Sequence, residues 1–214
     1  MAATRRSRHL LALLLAAAGI VAGAAEALAQ APACPAAGTV ARLSNGWTWT
    51  YLDADGAWCR FRAGNKIERQ AHGLWLQTWP DGRYGAGVKA GIATLAALFP
   101  LEAGRKASFD LAAAERRRYG GTTVPPMRQE VSVLRREIAV VPAGSFDAFV
   151  VEWRDTVDRK ARDNDRLYET VAHAVWTMWY VPSEGMAVKV RVASQARELG
   201  KALQGWEVVQ IARP

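Results

Sequence analysis

Residues 174–193 read AVWTMWYVPSEGMAVKVRVA. The stretch divides at Pro182-Ser183-Glu184-Gly185, a turn sequence, and both flanks alternate as β-strands do. After the turn, Met186, Val188, Val190 and Val192 fall on one face, while Lys189 and Arg191 fall on the other. That is the pattern of an antiparallel sheet with one wet face. Before the turn, Trp176, Met178 and Tyr180 share one side, but Thr177, Trp179 and Val181 make the opposite side apolar too. Such a strand needs cover on both faces: the protein's own helix and core on one, and a cavity wall or second layer on the other.

Working outward, strand follows strand in the C-terminal half. QEVSVLRREIAVV (129–141) runs into the turn PAGS (142–145) and then FDAFVVEW (146–153). The polar stretch Arg154–Arg166 is a loop or the tip of a long hairpin, and GWEVVQIA (205–212) supplies a last strand. Toward the N-terminus, Thr39–Leu43, Trp47–Leu52 and Ala57–Arg62 are strand candidates, the last two joined by the turn residues Asp53–Gly56. A turn at Ala63–Lys66 leads to further strand, stopped by Pro80-Asp81-Gly82. Val88, Ile92, Leu95 and Phe99 recur at helical spacing ahead of Pro100, which predicts a helix. Asp110 either caps a second short helix, LAAAERRR (111–118), or belongs to a charged hairpin, and Thr122–Pro126 is a loop. The fold class expected is mainly β (α+β): a strongly curved antiparallel sheet or half-barrel with one or two short helices against its concave face.

The first 29 residues carry Arg5, Arg6 and Arg8, then an apolar run from Leu10 to Ala25, then Ala27-Leu28-Ala29. A basic start, an apolar middle and an A-x-A end predict a signal peptide (1–29) cut after Ala29, leaving 30–214 as one mainly-β domain in the periplasm or outside the cell. A retained anchor is the alternative, but the run spans about 16 residues where a membrane helix needs roughly 20. The whole chain has 28 basic and 20 acidic side chains; the leader holds three of the former and one of the latter, so the remainder carries a net +6. A basic exported domain suits anionic envelope polymers or peripheral contact with a membrane, and its compartment argues against nucleic acid. Composition sets no oligomeric state.

Cys34 and Cys59 are the only cysteines. In an oxidising compartment two thiols commonly pair, which would staple the start of the mature chain to the first hairpin. The competing reading takes Ala31-Pro32-Ala33-Cys34 as a lipobox with Cys34 lipidated.

Arg136-Glu137-Ile138-Ala139-Val140-Val141-Pro142-Ala143-Gly144-Ser145-Phe146, and later Trp179-Tyr180-Val181-Pro182-Ser183-Glu184-Gly185 followed by Val188-Lys189, resemble a group of uncharacterised exported bacterial proteins with a VPAG-x-F hairpin. Leu98-Phe99-Pro100-Leu101 and Gly104-Arg105-Lys106 are similar to the piece that precedes it in that group. The match covers about residues 93–195 and consists of turn and packing residues. Such proteins are similar in layout to the half-barrels of periplasmic lipoprotein carriers, in which a bent sheet wraps helices and an apolar cavity. The resemblance implies fold rather than activity.

No motif groups a nucleophile with a base, so no catalytic residue, metal ligand or cofactor is assigned, and the chain is expected not to be an enzyme. Gly85-Ala86-Gly87-Val88-Lys89-Ala90 fits a loose dinucleotide fingerprint without the strand-helix-strand unit that gives it meaning. Ser145 is read as a turn residue, since it lacks the second glycine of a nucleophile elbow. His72 and His173 have no zinc-type spacing. Asp155, Asp158, Asp163 and Asp165 are read as a solvated loop neutralised by its own arginines and lysine, rather than a calcium site.

Nine tryptophans in the mature 185 residues are the unusual feature. Trp47, Trp49 and Tyr51 would share one strand face, as would Trp75 and Trp79. Packing on a bent sheet accounts for many of these rings. The remainder suggests an aromatic groove, with Trp47, Trp49, Trp176, Met178 and Tyr180 as candidate ligand-binding residues. The expected partner is a hydrophobic ligand or a lipid-bearing envelope protein. The alternative is a glycan or cell-wall binding module that stacks sugars on exposed tryptophans.

Overall fold

A computed structural model describes residues 32–74, 85–111, 127–163, 166–194 and 205–214. Among these residues, ten antiparallel strands and one helix follow in the order β1 (Val40–Leu43), β2 (Thr48–Asp55), β3 (Trp58–Ala63), β4 (Lys66–Ala71), α1 (Gly85–Ala96), β5 (Lys106–Leu111), β6 (Met127–Val141), β7 (Gly144–Asp163), β8 (Arg166–Val181), β9 (Met186–Ser194) and β10 (Trp206–Ala212). The strands form one sheet ordered β4-β3-β2-β1-β10-β9-β8-β7-β6-β5. It consists of two meanders, β1–β4 and β5–β9, with β10 inserted between β1 and β9 to join them. The sheet is not closed: β4 and β5 are its edges, and α1 lies on the connection from one edge to the other.

The sheet curves strongly. The Ala143 N–H, in the β6–β7 turn, donates to the Val208 carbonyl on β10 at 3.2 Å although β8 and β9 separate β7 from β10 in the strand order. At the end of β4, a Cβ on Gly73 would stand 2.1 Å from the Gly185 carbonyl oxygen of the β8–β9 turn and 3.0 Å from the Tyr180 ring. The two backbones meet there because Gly73 has no side chain, while a Cβ on Gly185 would stand 2.7 Å from the Ala33 carbonyl oxygen, and both hold positive φ, 68° and 65°.

Register makes the inward face explicit. Ala107, Val131, Trp153, Trp176 and Val192 align across β5–β9, and Val133, Val151, Met178, Val190 and Trp206 align in a parallel row. Across β1–β3, Ala41, Trp49 and Ala63 continue the same face. α1 covers it. Gly91 lies so close to Phe109 of β5 that a Cβ would meet the ring at 2.7 Å, and Phe99, just beyond the helix, packs edge-on to Tyr180 with centroids 6.0 Å apart.

The sheet and helix match the fold class expected from alternation. Arg154–Arg166 resolves as the tip of a long hairpin, with β7 and β8 paired out to Asp163↔Arg166. The PAGS turn has Gly144 at φ 138° and returns Phe146 to the core's margin. Gly85–Gly87 lie inside the first turn of α1. Asp110 is a residue of β5, not a helix cap. The predicted signal peptide, residues 112–118 of the second helix candidate, the Thr122–Pro126 loop, and Trp75, Trp79 and Pro80–Gly82 lie outside the described residues.

Cys34 and Cys59 are joined by a disulfide, which ties the segment before β1 to β3. A sulfur so bonded carries no thioether, so the structure selects pairing over lipidation at Cys34.

Candidate functional site

Four of the five groove candidates come together on the inward face. Trp49 (5 % exposed), Trp176 (2 %), Met178 (1 %) and Tyr180 (0 %) are all buried, with neighbours drawn from the protein itself. Trp49 packs against Phe61 and edge-on to Trp206, with centroids 4.8 and 5.0 Å away. Trp176 stacks on Trp153 at 6.0 Å and 7°. The Tyr180 hydroxyl donates to the His72 carbonyl at 3.3 Å. Trp47 is not brought to them. It stands 52 % exposed just before β2, because the β1–β2 turn closes on it, the Leu43 N–H donating to its carbonyl at 2.8 Å.

The opposite face of β8 is covered by charged side chains rather than by a second layer. Trp179 donates its indole N–H to Glu137 Oε1 at 2.6 Å, and the Lys189 and Arg191 cations lie 5.2 and 5.7 Å from its ring centroid. Glu137 also accepts from Arg135 at 2.6 Å. That bond, then the one from Trp179, holds its carboxyl below the usual carboxylate range. Polar heads and aliphatic stems together shield the ring on the sheet's outer side.

Within the inward face lies a polar group that the periodic apolar pattern conceals. Gln129 and Asp155 sit opposite one another on β6 and β7, 0 % and 1 % exposed, and Gln129 Nε2 donates to Asp155 Oδ1 at 2.8 Å. Their row is flanked by Phe109 and Ala174; one step along lies the Trp153–Trp176 row, and one step the other way Leu111 and Met127. Burial pushes the Asp155 carboxyl up to about 7, against the lowering effect of the Gln129 bond. Gln129 Oε1, the Trp153 indole N–H, the Tyr51 hydroxyl and Gln70 Oε1 are buried without a hydrogen-bond partner among the described residues. Burial also drives the Tyr51 phenol above its ordinary value, with the Tyr180 phenol adding to the effect.

Asp155 therefore departs from its expected place among solvated loop aspartates. It is the second residue after Trp153 in a strand, and alternation carries it inward. The side chains of Asp158, Asp163 and His173, and all of Asp165, lie outside the described residues. Among the described residues no group of three potential ligands gathers as a metal centre would require. His72 holds φ 53°, its Nε2 lies 3.3 Å from the Ile92 carbonyl of α1, and burial lowers its pKa.

The outer face holds an open groove of about 490 Å³ lined by Lys106, Ser108, Glu130, Ser132, Glu152 and Arg154. Its charges balance, and each carboxylate pairs with an arginine two residues along its own strand: Arg128–Glu130 at 3.4 Å and Arg154–Glu152 at 3.5 Å. Nothing there favours one ligand charge over another.

Protein-family models give no match to this chain, and neither do curated proteins. Among solved structures, the hypothetical lipoprotein YmcC of Escherichia coli is similar at 13 % identity and TM-score 0.45, over 85 % of this chain and 89 % of that one. A Bacteroides fragilis protein described as exported and of YmcC-like fold matches at 12 % identity and TM-score 0.34, over 84 % and 98 %. A Parabacteroides distasonis protein described as a lipoprotein matches at 10 % identity and TM-score 0.40, over 86 % and 99 %.

Proposed function

We propose that the protein is an exported, non-enzymatic cell-envelope protein that takes a hydrophobic ligand, a lipid or the lipid chain of an envelope partner, among the aromatic rings of its concave face. One observation carries the reading: Trp153 Nε1, Gln129 Oε1 and Tyr51 Oη are buried in that face and unpartnered. Each such atom costs about 1–3 kcal/mol while it lacks a partner, and a ligand group that paired with it would recover that cost. Ligand sites have this composition, an apolar wall holding a few polar atoms that wait for a partner. Trp49, Trp176, Met178 and Tyr180 form the wall, and Trp47 takes no part in it. Because the rings pack on one another, a ligand enters as α1 lifts from Phe109 and the Phe99 segment after it lifts from Tyr180.

The Cys34–Cys59 disulfide supports an oxidising compartment. Sugar stacking has less support, because Trp49, Trp153, Trp176, Trp179 and Trp206 are buried and only Trp47 of the described tryptophans is more than half exposed. The test is native mass spectrometry of the protein purified from cells, with titration of tryptophan emission by lauric acid and lauryl alcohol. A clean apoprotein mass with unchanged emission sinks the reading. Co-sedimentation with peptidoglycan in place of lipid binding would favour the glycan alternative.

A further inference from the structure

Resting on that reading, the polar atoms of the inward face specify what the ligand's head must be. Gln129 spends one amide hydrogen on Asp155 Oδ1 and keeps an unpartnered acceptor, Oε1. Trp153, two residues before Asp155 on β7, keeps an unpartnered donor, Nε1–H. Gln129 and Trp153 are diagonal neighbours across β6 and β7, a relationship that sets the residues roughly 7–8 Å apart, within reach of long side chains, so that one small group between them can meet both. Phe109 stands edge-on to Trp153 at 6.5 Å and Trp176 stacks on its other side, so the surroundings are apolar.

We infer that the site formed by Gln129, Trp153 and Asp155 takes the uncharged hydroxyl head of a long-chain ligand, accepting its proton at Gln129 Oε1 and donating Trp153 Nε1–H to its oxygen. A hydroxyl is the smallest group that is donor and acceptor at once. A carboxylate could satisfy Trp153 but would leave Gln129 Oε1 facing a second acceptor, next to the Asp155 carboxyl in a medium that screens charge poorly. An ammonium could satisfy Gln129 and Asp155 but would leave the indole N–H unpaired. Asp155 already titrates near neutrality without a charged neighbour, which is the environment expected of a site built for an uncharged head.

The experiment compares lauryl alcohol, lauric acid and laurylamine, matched in chain length and kept below aggregation, by tryptophan emission and native mass spectrometry on the full protein. The alcohol should bind about tenfold or more tightly than either charged analogue. Trp153→Phe, which keeps a ring and deletes the N–H, and Gln129→Met should each weaken the alcohol about five- to tenfold, the loss of one hydrogen bond, and leave the amine or the acid respectively less affected. Circular dichroism checks that both variants fold; if one does not, the ranking of the three heads on the unaltered protein decides. Equal binding of all three, or preference for the acid or the amine, overturns the hydroxyl site while leaving the apolar interior as a ligand site. Binding of none overturns the proposed function itself.

Discussion

The indoles of Trp153 and Trp176 lie 7° from parallel with centroids 6.0 Å apart, each drawn from the middle of a long strand, and both are buried. They sit at one register position of β7 and β8, so the stack is a direct cross-strand pair at the centre of the inward face. Truncating either to Ala should cost about 3–5 kcal/mol in urea unfolding. The double variant should lose less than the sum of the two, by roughly 0.5–1.5 kcal/mol, the coupling of a ring pair. Strict additivity would show that the two rings are held by the surrounding core and not by each other.

Asp155 makes stability depend on pH in an unusual direction. Its folded pKa of about 7 exceeds its ordinary 3.8, so between those values the folded protein binds a proton that the unfolded chain has released. Its inward neighbours Phe109, Gln129, Trp153 and Ala174 do not ionise. The contribution is complete below about pH 4 and is lost as pH rises through 7, a fall of up to about 4 kcal/mol. Asp155→Asn should flatten that part of the profile. Denaturant unfolding from pH 4.5 to 8 measures it, and an unchanged slope in the variant would contradict the assignment.

The Cys34–Cys59 bridge closes a loop across 25 residues. Reduction, or the pair Cys34→Ser and Cys59→Ser, should lower stability by about 3.5 kcal/mol through the entropy returned to the unfolded chain. Unfolding curves with and without reductant test this, and the double-serine variant should be indifferent to reductant.

Gly91 offers a sharper test of how α1 seats. Ala normally exceeds Gly in a helix by about 1 kcal/mol, yet here the added Cβ would stand 2.7 Å from the Phe109 ring. Gly91→Ala should therefore destabilise the unaltered protein and stabilise the Phe109→Ala variant. The same sign in both backgrounds would place the helix elsewhere.

Much of the sheet was legible because its outer face is wet. Met186, Val188 and Val190 are buried while Arg191 is exposed, as strict alternation requires. The helix was legible from Val88, Ile92 and Leu95, whose spacing suits one covered side. Asp155 was hidden by composition. It lies in a polar stretch, and only strand phase, counted from Trp153, carries it inward; Gln129 follows Met127 and precedes Val131 in the same way. The cover over Trp179 was out of reach, since Glu137 lies 42 residues away and meets it through a register that no single strand encodes. Trp47 stands apart from the other four for a local reason. Period two places it beside Trp49, but turn closure at Leu43 removes it from the strand.

β10 has a consequence for assembly in the cell. It comes after every other described strand, yet it occupies the middle of the sheet, between β1 and β9. A chain that emerges from its N-terminus holds two half-sheets, each with a raw edge where its twin belongs, until residues 206–212 arrive to zip them together. Completion of the sheet thus waits on residues 206–212, and loss of that short ribbon would leave two orphaned fragments instead of a slightly smaller protein.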